Sequence, residues 1–328
     1  MRAALLFLTA LACTGEKPED TAETDTDADT DADTDTDTDT DADTFTVVPL
    51  DPTPFGGARL GLYALTADFT RVTSEAPVHV AVLGGEGTFP VTYTPTELEE
   101  APYAPGMFVA SYALLASIPD AETDVLLGVS RHDALYVEGT IPDAYAGIGI
   151  VPGWNAISAR GEGDPPELVA IDAIPLEDNL VLRDAATVGG TWTTTGAYVA
   201  VVADIGDPVA LVEGAATDPW TLTVSEAPPA TSLRTENGVT FGGYRPTAFD
   251  DTDASGAWSD GDTVTGLATT AAGEPAWLLW GEPVHTAEGA HTLVTLGGFR
   301  VGWSVASQRE IAFPIEPAVV TDLVMAAP

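Results

Sequence analysis

Past residue 45 the chain is a succession of short apolar runs, and this rhythm limits its possible folds more than any other feature. Clusters of Val, Ile, Leu, Thr and Tyr are interrupted about every eight to twelve residues by Gly, Pro, Asp or Asn. The runs at 58–65, 78–83, 108–115 and 197–203 have the length and composition of strands. No sustained helical stripe of apolar side chains accompanies them. The sequence therefore predicts an all-β protein built from antiparallel β-sandwiches.

The apolar region repeats its own signals in one consistent order. The matched segments are Gly57-Ala58 with Gly196-Ala197, Phe89-Pro90 with Asp218-Pro219, Gly106 and Tyr112 with Gly238 and Tyr244, Gly153-Trp154 with Gly302-Trp303, and 174–177 with 313–316. Their offsets lie between 129 and 149 residues, and unrelated sequence rarely produces such an ordered series. We therefore predict a tandem duplication, with one Ig-like or Greek-key-like sandwich domain at 45–186 and a second at 187–328.

The N-terminal segment has the layout of an export signal. One positive charge at Arg2 is followed by ten mostly apolar residues at 3–12 and then by Cys13. This apolar stretch is too short to span a bilayer, which takes about 20 residues of helix. Cys13 is the only cysteine of the chain, so it cannot form an intrachain disulfide and needs another explanation.

The triplet Leu11-Ala12-Cys13 resembles the end of the signal in bacterial lipoproteins, where the cysteine is diacylated and becomes the new N-terminus. That family prefers Leu three places before the cysteine, and this chain has Ala10 there. The resemblance implies a signal peptide at 1–12 and a lipid on Cys13 that binds the membrane. It also implies an extracytoplasmic location, at the outer membrane or cell surface. The alternative is a secreted protein with a free or buried thiol.

Behind Cys13 lies a tract of low complexity. Residues 24–44 alternate Asp with Thr or Ala, without an aromatic or large aliphatic side chain. Such a segment cannot bury enough apolar surface to offset the entropy of ordering it. Asp residues two apart in an extended chain lie about 6–7 Å from each other, within the screening length of about 8 Å at physiological salt. We expect 13–44 to be a disordered, self-repelling linker.

The charge balance excludes nucleic acid as a partner. The chain has a formal net charge of −40, and only 14 of its 51 acids lie in residues 14–44. The remaining 37 acids face nine Arg and no Lys, so the region from 45 to 328 carries about −28 by itself. A field of this sign repels phosphate backbones and anionic lipid, and it favours cations and solubility.

Residues 251–262 have the spacing of a calcium loop. Oxygen-bearing residues stand at the first, third, fifth, ninth and twelfth places, with Gly256 at the sixth. The stretch resembles EF-hand and dockerin-type loops. That resemblance implies as ligands the side chains of Asp251, Asp253, Ser255 and Asp262, the carbonyl of Ala257, and Ser259 through water. It departs from the family at Asp262, which replaces a Glu, at Trp258, which replaces an aliphatic residue, and in its strand-like flanks. The alternative is an acidic hairpin loop.

Two tryptophans are candidates for ligand contact. Trp277 and Trp280 lie three residues apart, so on a strand they point to opposite faces. At least one is then expected at the surface or at the seam between domains, where it could contact a cell-surface glycan. The tryptophans of Gly153-Trp154 and Gly302-Trp303 are instead expected to fill the sandwich cores.

The histidines at 285 and 291, with Glu288 between them, could serve a transition metal. Their spacing is not that of a helical zinc motif, and Pro283 with Gly289 predicts an irregular segment.

No catalytic signature is present. Past Cys13 the sequence lacks a Gly-x-Ser-x-Gly elbow, a phosphate-binding glycine loop and a nucleophilic cysteine. We therefore expect a lipid-anchored bacterial surface protein with a non-catalytic binding or structural role, stabilised by calcium if the loop binds it, and with a glycan or protein as partner. The alternative is a polysaccharide hydrolase that uses an Asp/Glu pair in a cleft between the domains.

Overall fold

The computed structural model of the protein describes residues 44–66, 68–96, 98, 104–120, 124–158, 167–204, 207–236, 238–295, 300–307 and 319–328. The predicted signal peptide, Cys13 and nearly all of the predicted linker lie outside these residues. In the described part of the chain, strands are accompanied by two short α-helices and three 3-10 helices, at Thr53–Phe55, Ile171–Ala173 and Ala230–Ser232. The prediction of an all-β fold is confirmed.

The described residues of the first half form ten strands and one helical turn. In chain order they are β1 Thr44–Pro49, β2 Arg59–Ala64, β3 His79–Val82, β4 Phe89–Thr92, β5 Met107–Ile118, β6 Val125–Val129, β7 Asp133–Gly139, α1 Asp143–Ala146, β8 Gly153–Ser158, β9 Glu167–Val169 and β10 Ile174–Leu176. The strands predicted at 58–65, 78–83 and 108–115 are β2, β3 and β5, because each is a run of apolar and β-branched residues bounded by turn formers.

In the second half, the part that the structure describes also forms ten strands, with one longer helix. They are β11 Ala186–Trp192, β12 Tyr198–Ala203, β13 Ala210–Ala215, β14 Trp220–Val224, β15 Arg234–Glu236, β16 Val239–Asp250, β17 Thr263–Thr269, β18 Ala276–Gly281, α2 Ala287–Thr295, β19 Gly302–Ser307 and β20 Val319–Ala326. The strand predicted at 197–203 is β12. The predicted domain boundary after residue 186 falls at the first residue of β11.

The strands pair in the same way in both halves. In the first, β1 lies between antiparallel β4 and parallel β10, and a second sheet has the order β3-β2-β5-β7-β8-β9 with β6 also on β5. In the second half, β11 lies between antiparallel β14 and parallel β20. Strand β12 lies between β13 and β16, and β16 also pairs with β17 and β18. Strands β1, β2, β3, β4, β5 and β10 thus correspond to β11, β12, β13, β14, β16 and β20.

Two details separate the halves. Strand β17 pairs with β20, which joins the two sheets of the second half into one of ten strands. The counterpart of β10 is β20, whereas the sequence comparison matched 174–177 to 313–316. That second segment lies outside the described residues, and the parallel pairing with β11 identifies β20 instead.

A buried tryptophan anchors each core in the same manner. Trp154 and Trp303 are 4% and 0% exposed. Their indole N–H groups donate to the carbonyl oxygens of Tyr93 and Glu226, at 3.1 and 3.2 Å. The sequence prediction that both fill the core is confirmed, and the hydrogen bond satisfies the one polar atom that each indole buries.

The glycine before each tryptophan is required by the backbone. Gly153 and Gly302 have φ values of 83° and 78°, a conformation that costs other residues energy. A Cβ on Gly302 would also stand 2.3 Å from the carbonyl oxygen of Arg183, in the connection between the halves. In each Gly-Trp pair, the glycine therefore adopts a positive φ value, and the tryptophan that follows it fills the core.

The two halves meet along an apolar cluster that we call the seam. It consists of Tyr63, Leu65, Val72, Ala113, Leu115, Val129 and Leu180 from the first half and the connection, and of Val239, Phe241, Leu279, Ala290, Leu293, Val294, Val301 and Ala306 from the second. Helix α2 provides three of these residues at positions spaced by three and four. The sequence predicted an irregular segment here, and that prediction is wrong, because residues 287–291 belong to α2. A helix of nine residues is too short to give a sustained pattern of apolar side chains in the sequence.

No helix in the described residues is both long and apolar enough to cross a membrane.

We predict that replacing the core tryptophan of either half has a large effect on stability. Trp303→Ala should lower the free energy of unfolding by about 3–5 kcal/mol, because the cavity cannot be filled by its neighbours. Val319→Ala is the control, since Val319 is 54% exposed and such a change stays within about 0.5 kcal/mol. Urea unfolding measures both. A Trp303→Ala loss no larger than that of the control would contradict this role.

Candidate functional site

The acidic stretch 251–262 connects β16 to β17. Asp250 pairs with Thr263 at the base of the loop, so the stretch is a hairpin connection rather than a helix–loop–helix. The loop turns sharply at Ala254 and Gly256, which both have positive φ values, of 57° and 78°. This places successive backbone N–H groups on the inside of the turn, where they face the loop's carboxylates.

Three of the predicted ligands come together. One oxygen from each of Asp251, Asp253 and Asp262 lies within 4.8 Å of the other two. Each carboxylate also accepts hydrogen bonds from the loop. Asp251 accepts the N–H groups of Ser255 and Gly256 at 3.0 and 2.7 Å, and Asp262 accepts those of Thr252 and Ser259 at 2.9 and 2.7 Å.

Asp253 is bound in the same way from the middle of the loop. It accepts the N–H of Ser255 at 2.9 Å and the hydroxyl of Ser259 at 3.1 Å. Hydrogen bonding from Ser255 and then from Ser259 lowers the pKa of Asp253 below its usual value, because these donors favour the ionised carboxylate. The Ala257 carbonyl accepts the Ser255 hydroxyl at 2.8 Å. The loop is thus held by its own hydrogen bonds, with three carboxyl groups crowded together.

Trp258 attaches this loop to the sheet. Its ring meets Phe249 edge-on at 5.2 Å between centroids and packs on the small cluster of Ala200, Val202 and Phe249. Its backbone N–H donates to Glu213 of β13 at 2.8 Å. Trp258, one of the residues that depart from the calcium-loop pattern, therefore has a structural role. It covers one outer face of the second half.

The two candidate stacking tryptophans do not form a platform on the surface. Trp280 is 7% exposed and packs on Trp303 at 5.1 Å in the core, which does not fit stacking on a glycan. Trp277 is half-buried against the seam, with the Arg245 guanidinium 4.7 Å from its ring centroid. Of the two locations expected for an outward tryptophan, the seam is the one that Trp277 occupies.

The predicted transition-metal group is not assembled. His291 lies on α2, 2% exposed, with Nε2 3.4 Å from Oδ1 of Asp133 in the first half. Glu288 binds Arg71 at 3.2 Å instead, and His285 lines a shallow groove beside Leu182 and Trp280. The three residues therefore have separate partners, and the helix directs His291 into the protein.

Ion pairs across the seam were not visible in the sequence. Arg300 of the second half donates to Asp178 of the connection at 2.9 Å, with the Arg side chain 6% exposed. The Arg71–Glu288 pair is much more open, with the side chains 70% and 50% exposed. Their partners are separated by 122 and 217 residues, so no local pattern could connect them.

The hydrolase alternative requires two carboxylates facing a cleft. The contact between the halves is filled by the apolar seam. Three acids beside it face bases: Asp133 faces His291, Asp178 faces Arg300 and Glu288 faces Arg71. No observation here favours a catalytic carboxylate pair.

The calcium site predicted from the sequence stays a prediction, and the melting temperature checks it. If Asp251, Asp253 and Asp262 bind Ca²⁺, an excess of the ion raises the melting temperature and a chelator reverses the rise. Asp253→Asn should abolish the shift, while Asp260→Asn, which changes an acid outside the carboxylate cluster, should retain it. An unchanged melting temperature of the unmodified protein would contradict the prediction.

We predict that the two cross-seam ion pairs differ in strength. A double-mutant cycle on Arg300 and Asp178 should give a coupling of about 1–3 kcal/mol, because the Arg is buried and its removal leaves a poorly solvated partner. The same cycle on Arg71 and Glu288 should give less than about 1 kcal/mol, since solvent screens that pair. Urea unfolding provides both values, and equal couplings would contradict the burial argument.

Comparison of the chain with protein-family models, with curated proteins and with solved structures gives no match. What the protein does has therefore to be inferred from its own residues.

Proposed function

We propose that this is a lipid-anchored bacterial envelope protein whose folded region acts outside the cytoplasm as a non-catalytic binding or structural module. A signal peptide at 1–12 directs export, acylated Cys13 binds the membrane, and the acidic linker separates the anchor from the body. The body offers its surface to a glycan or protein of the envelope.

The observation that carries this proposal is the way in which the chain changes character at residue 44. The Asp-rich tract runs up to Asp43, and β1 begins at Thr44. Phe45 is already buried, at 4% exposure, with its ring 4.9 Å from that of Trp154. The acidic tract thus ends where the core begins, as expected of a linker between an anchor and a folded body.

The linker joins the body at a strand that is paired on both sides. Strand β1 lies between β4 and β10, so its backbone is hydrogen-bonded on both sides. A stretched chain from Cys13 to Thr44 could reach about 100 Å, whereas a neutral coil of that length averages about 30 Å. The proposal expects a span between these two lengths.

The described body supports a binding or structural role over catalysis. Its halves are closed against each other by the seam, and Asp133 and Asp178 there face His291 and Arg300. The acid-rich surface repels polyanions and favours neutral or basic partners. These observations support a module that presents a surface rather than a reaction pocket.

We expect Cys13→Ser to release the protein from membranes. In cells that express the full chain, the unmodified protein should partition into the detergent phase of a Triton X-114 separation, and the variant should lose the acyl chains that direct it there. Thr21→Ser, in the linker, is the matched control and should behave like the unmodified protein. If the Cys13→Ser variant fractionates with membranes as the unmodified protein does, acylation of Cys13 is not what holds it.

A further inference from the structure

The turn from α1 to β8 exposes branched apolar side chains on an acidic protein. Ile148 and Val151 are 41% and 53% exposed, whereas Ile150 between them is 5% exposed. Residues 144–159 contain no charged side chain. The other exposed residues from 144 to 152 are Ala144, Ala146, Gly147, Gly149 and Pro152. We call 144–152 the apolar loop, because its exposed side is uncharged throughout.

The apolar loop is held in one conformation by a buried amide. Asn155 is 5% exposed. Its Oδ1 accepts the N–H of Val151 at 3.0 Å, and its Nδ2 donates to the carbonyl oxygen of the same residue at 2.8 Å. The N–H of Ile150 donates to the carbonyl oxygen of Tyr145 at 3.2 Å. The fold therefore fixes the backbone from which Ile148 and Val151 project, and little further ordering is needed when this surface is covered.

The linker enters the folded body close to the apolar loop. Strand β1 begins with Thr44 opposite Thr92, and the ring of Phe45 lies 4.9 Å from that of Trp154. Trp154 follows Val151 by three residues, a distance of roughly 10 Å along an extended chain. The segment that leads to the proposed anchor therefore meets the body at the end of the first half that carries the apolar loop.

The second half lies towards the other end of the same sheet face. Met107 and Val109, at the start of β5, pack under the apolar loop in one cluster with Ile150. Ala113 and Leu115, further along β5, belong to the seam. These residues alternate along the strand and therefore share one face. From Met107 to Leu115 the strand extends roughly 26 Å, so the loop and the second half cover different ends of this face.

We propose that the apolar loop is the surface through which the body contacts the lipid bilayer, with Ile148 and Val151 in the headgroup region and the second half directed away from the membrane. This orientation rests on the proposed anchor at Cys13. Lipid is the occupant because the anchored linker reaches the body at this end, and because an uncharged surface suits the interface better than a body that carries about −28. The anchor also makes the contact intramolecular, so a small apolar area is sufficient.

Fluorescence quenching by lipids tests the orientation. Cys13 is the only native cysteine, and acylation blocks its sulfur, so an introduced cysteine is the one free thiol of the mature protein. Val151→Cys, labelled with a nitrobenzoxadiazole fluorophore and reconstituted in phosphatidylcholine vesicles, should be quenched about twofold or more by lipids with a nitroxide on the acyl chain, because the label enters the interface. Val319→Cys is the matched control, since Val319 is 54% exposed in the second half, and its label should stay unquenched.

Flotation of the same vesicles separates this inference from the anchor. If the acylated protein floats with the vesicles while the labels at Val151 and Val319 are quenched equally, or neither is quenched, the orientation is wrong and the anchor stands. If the protein has a free thiol at Cys13 and does not float, the anchor is wrong, and the orientation that rests on it is overturned as well. Melting temperatures equal to that of the unmodified protein show that the labelled variants fold.

A charge in the apolar loop gives a second readout. With the fluorophore at Ile148→Cys, adding Val151→Asp should reduce quenching by the nitroxide lipids about twofold or more, because a carboxylate is costly to move out of water. Val82→Asp is the control and should leave the quenching unchanged, since Val82 is 64% exposed and lies on β3, outside the loop. Equal quenching with Val151→Asp and with Val82→Asp would overturn the proposal.

Discussion

The fold depends on one buried Gly-Trp pair in each half. Trp154 and Trp303 follow a glycine with a left-handed backbone, donate to a carbonyl oxygen of a different segment, and pack on the rings of Tyr112 and Tyr244. The indole is too large to leave unfilled and too polar to bury without its hydrogen bond. Burial also raises the pKa of Tyr244 to about 12, so its hydroxyl stays protonated beside Ser232. The tryptophan contacts link β8 to the segment after β4, and β19 to the segment after β14.

The same topology is used differently at the two ends of the molecule. In the second half, the loop 251–262 closes one outer face through Trp258 and its bond to Glu213. In the first half, the equivalent face is divided between the seam and the exposed side chains of Val80 and Val82 in β3. The halves thus differ mainly in what covers their outer faces, while their strand order is shared. Residues on such a surface can be substituted, and the binding properties altered, without changing the residues of the cores.

The sequence predicts the strands and cores well because these depend on local signals. Alternating apolar runs and turn formers located β2, β3, β5 and β12, and the Gly-Trp pairs located both cores. Contacts between distant residues are different, since neither Asp133 nor His291 carries any sign of the other. Helix α2 was missed because nine residues are too few for a sustained pattern. The acidic loop was located by spacing, but its attachment through Trp258 depends on a fold that spacing does not describe.

The proposed role outside the cytoplasm depends on an acyl group at Cys13, the residue that the proposal makes the membrane anchor. Mass spectrometry of the N-terminal peptide, released from protein purified out of the membrane fraction, tests this most directly. The account predicts a peptide that begins at Cys13 and carries acyl chains on its sulfur. A peptide that begins at Met1, or a mature Cys13 with a free thiol, would contradict it.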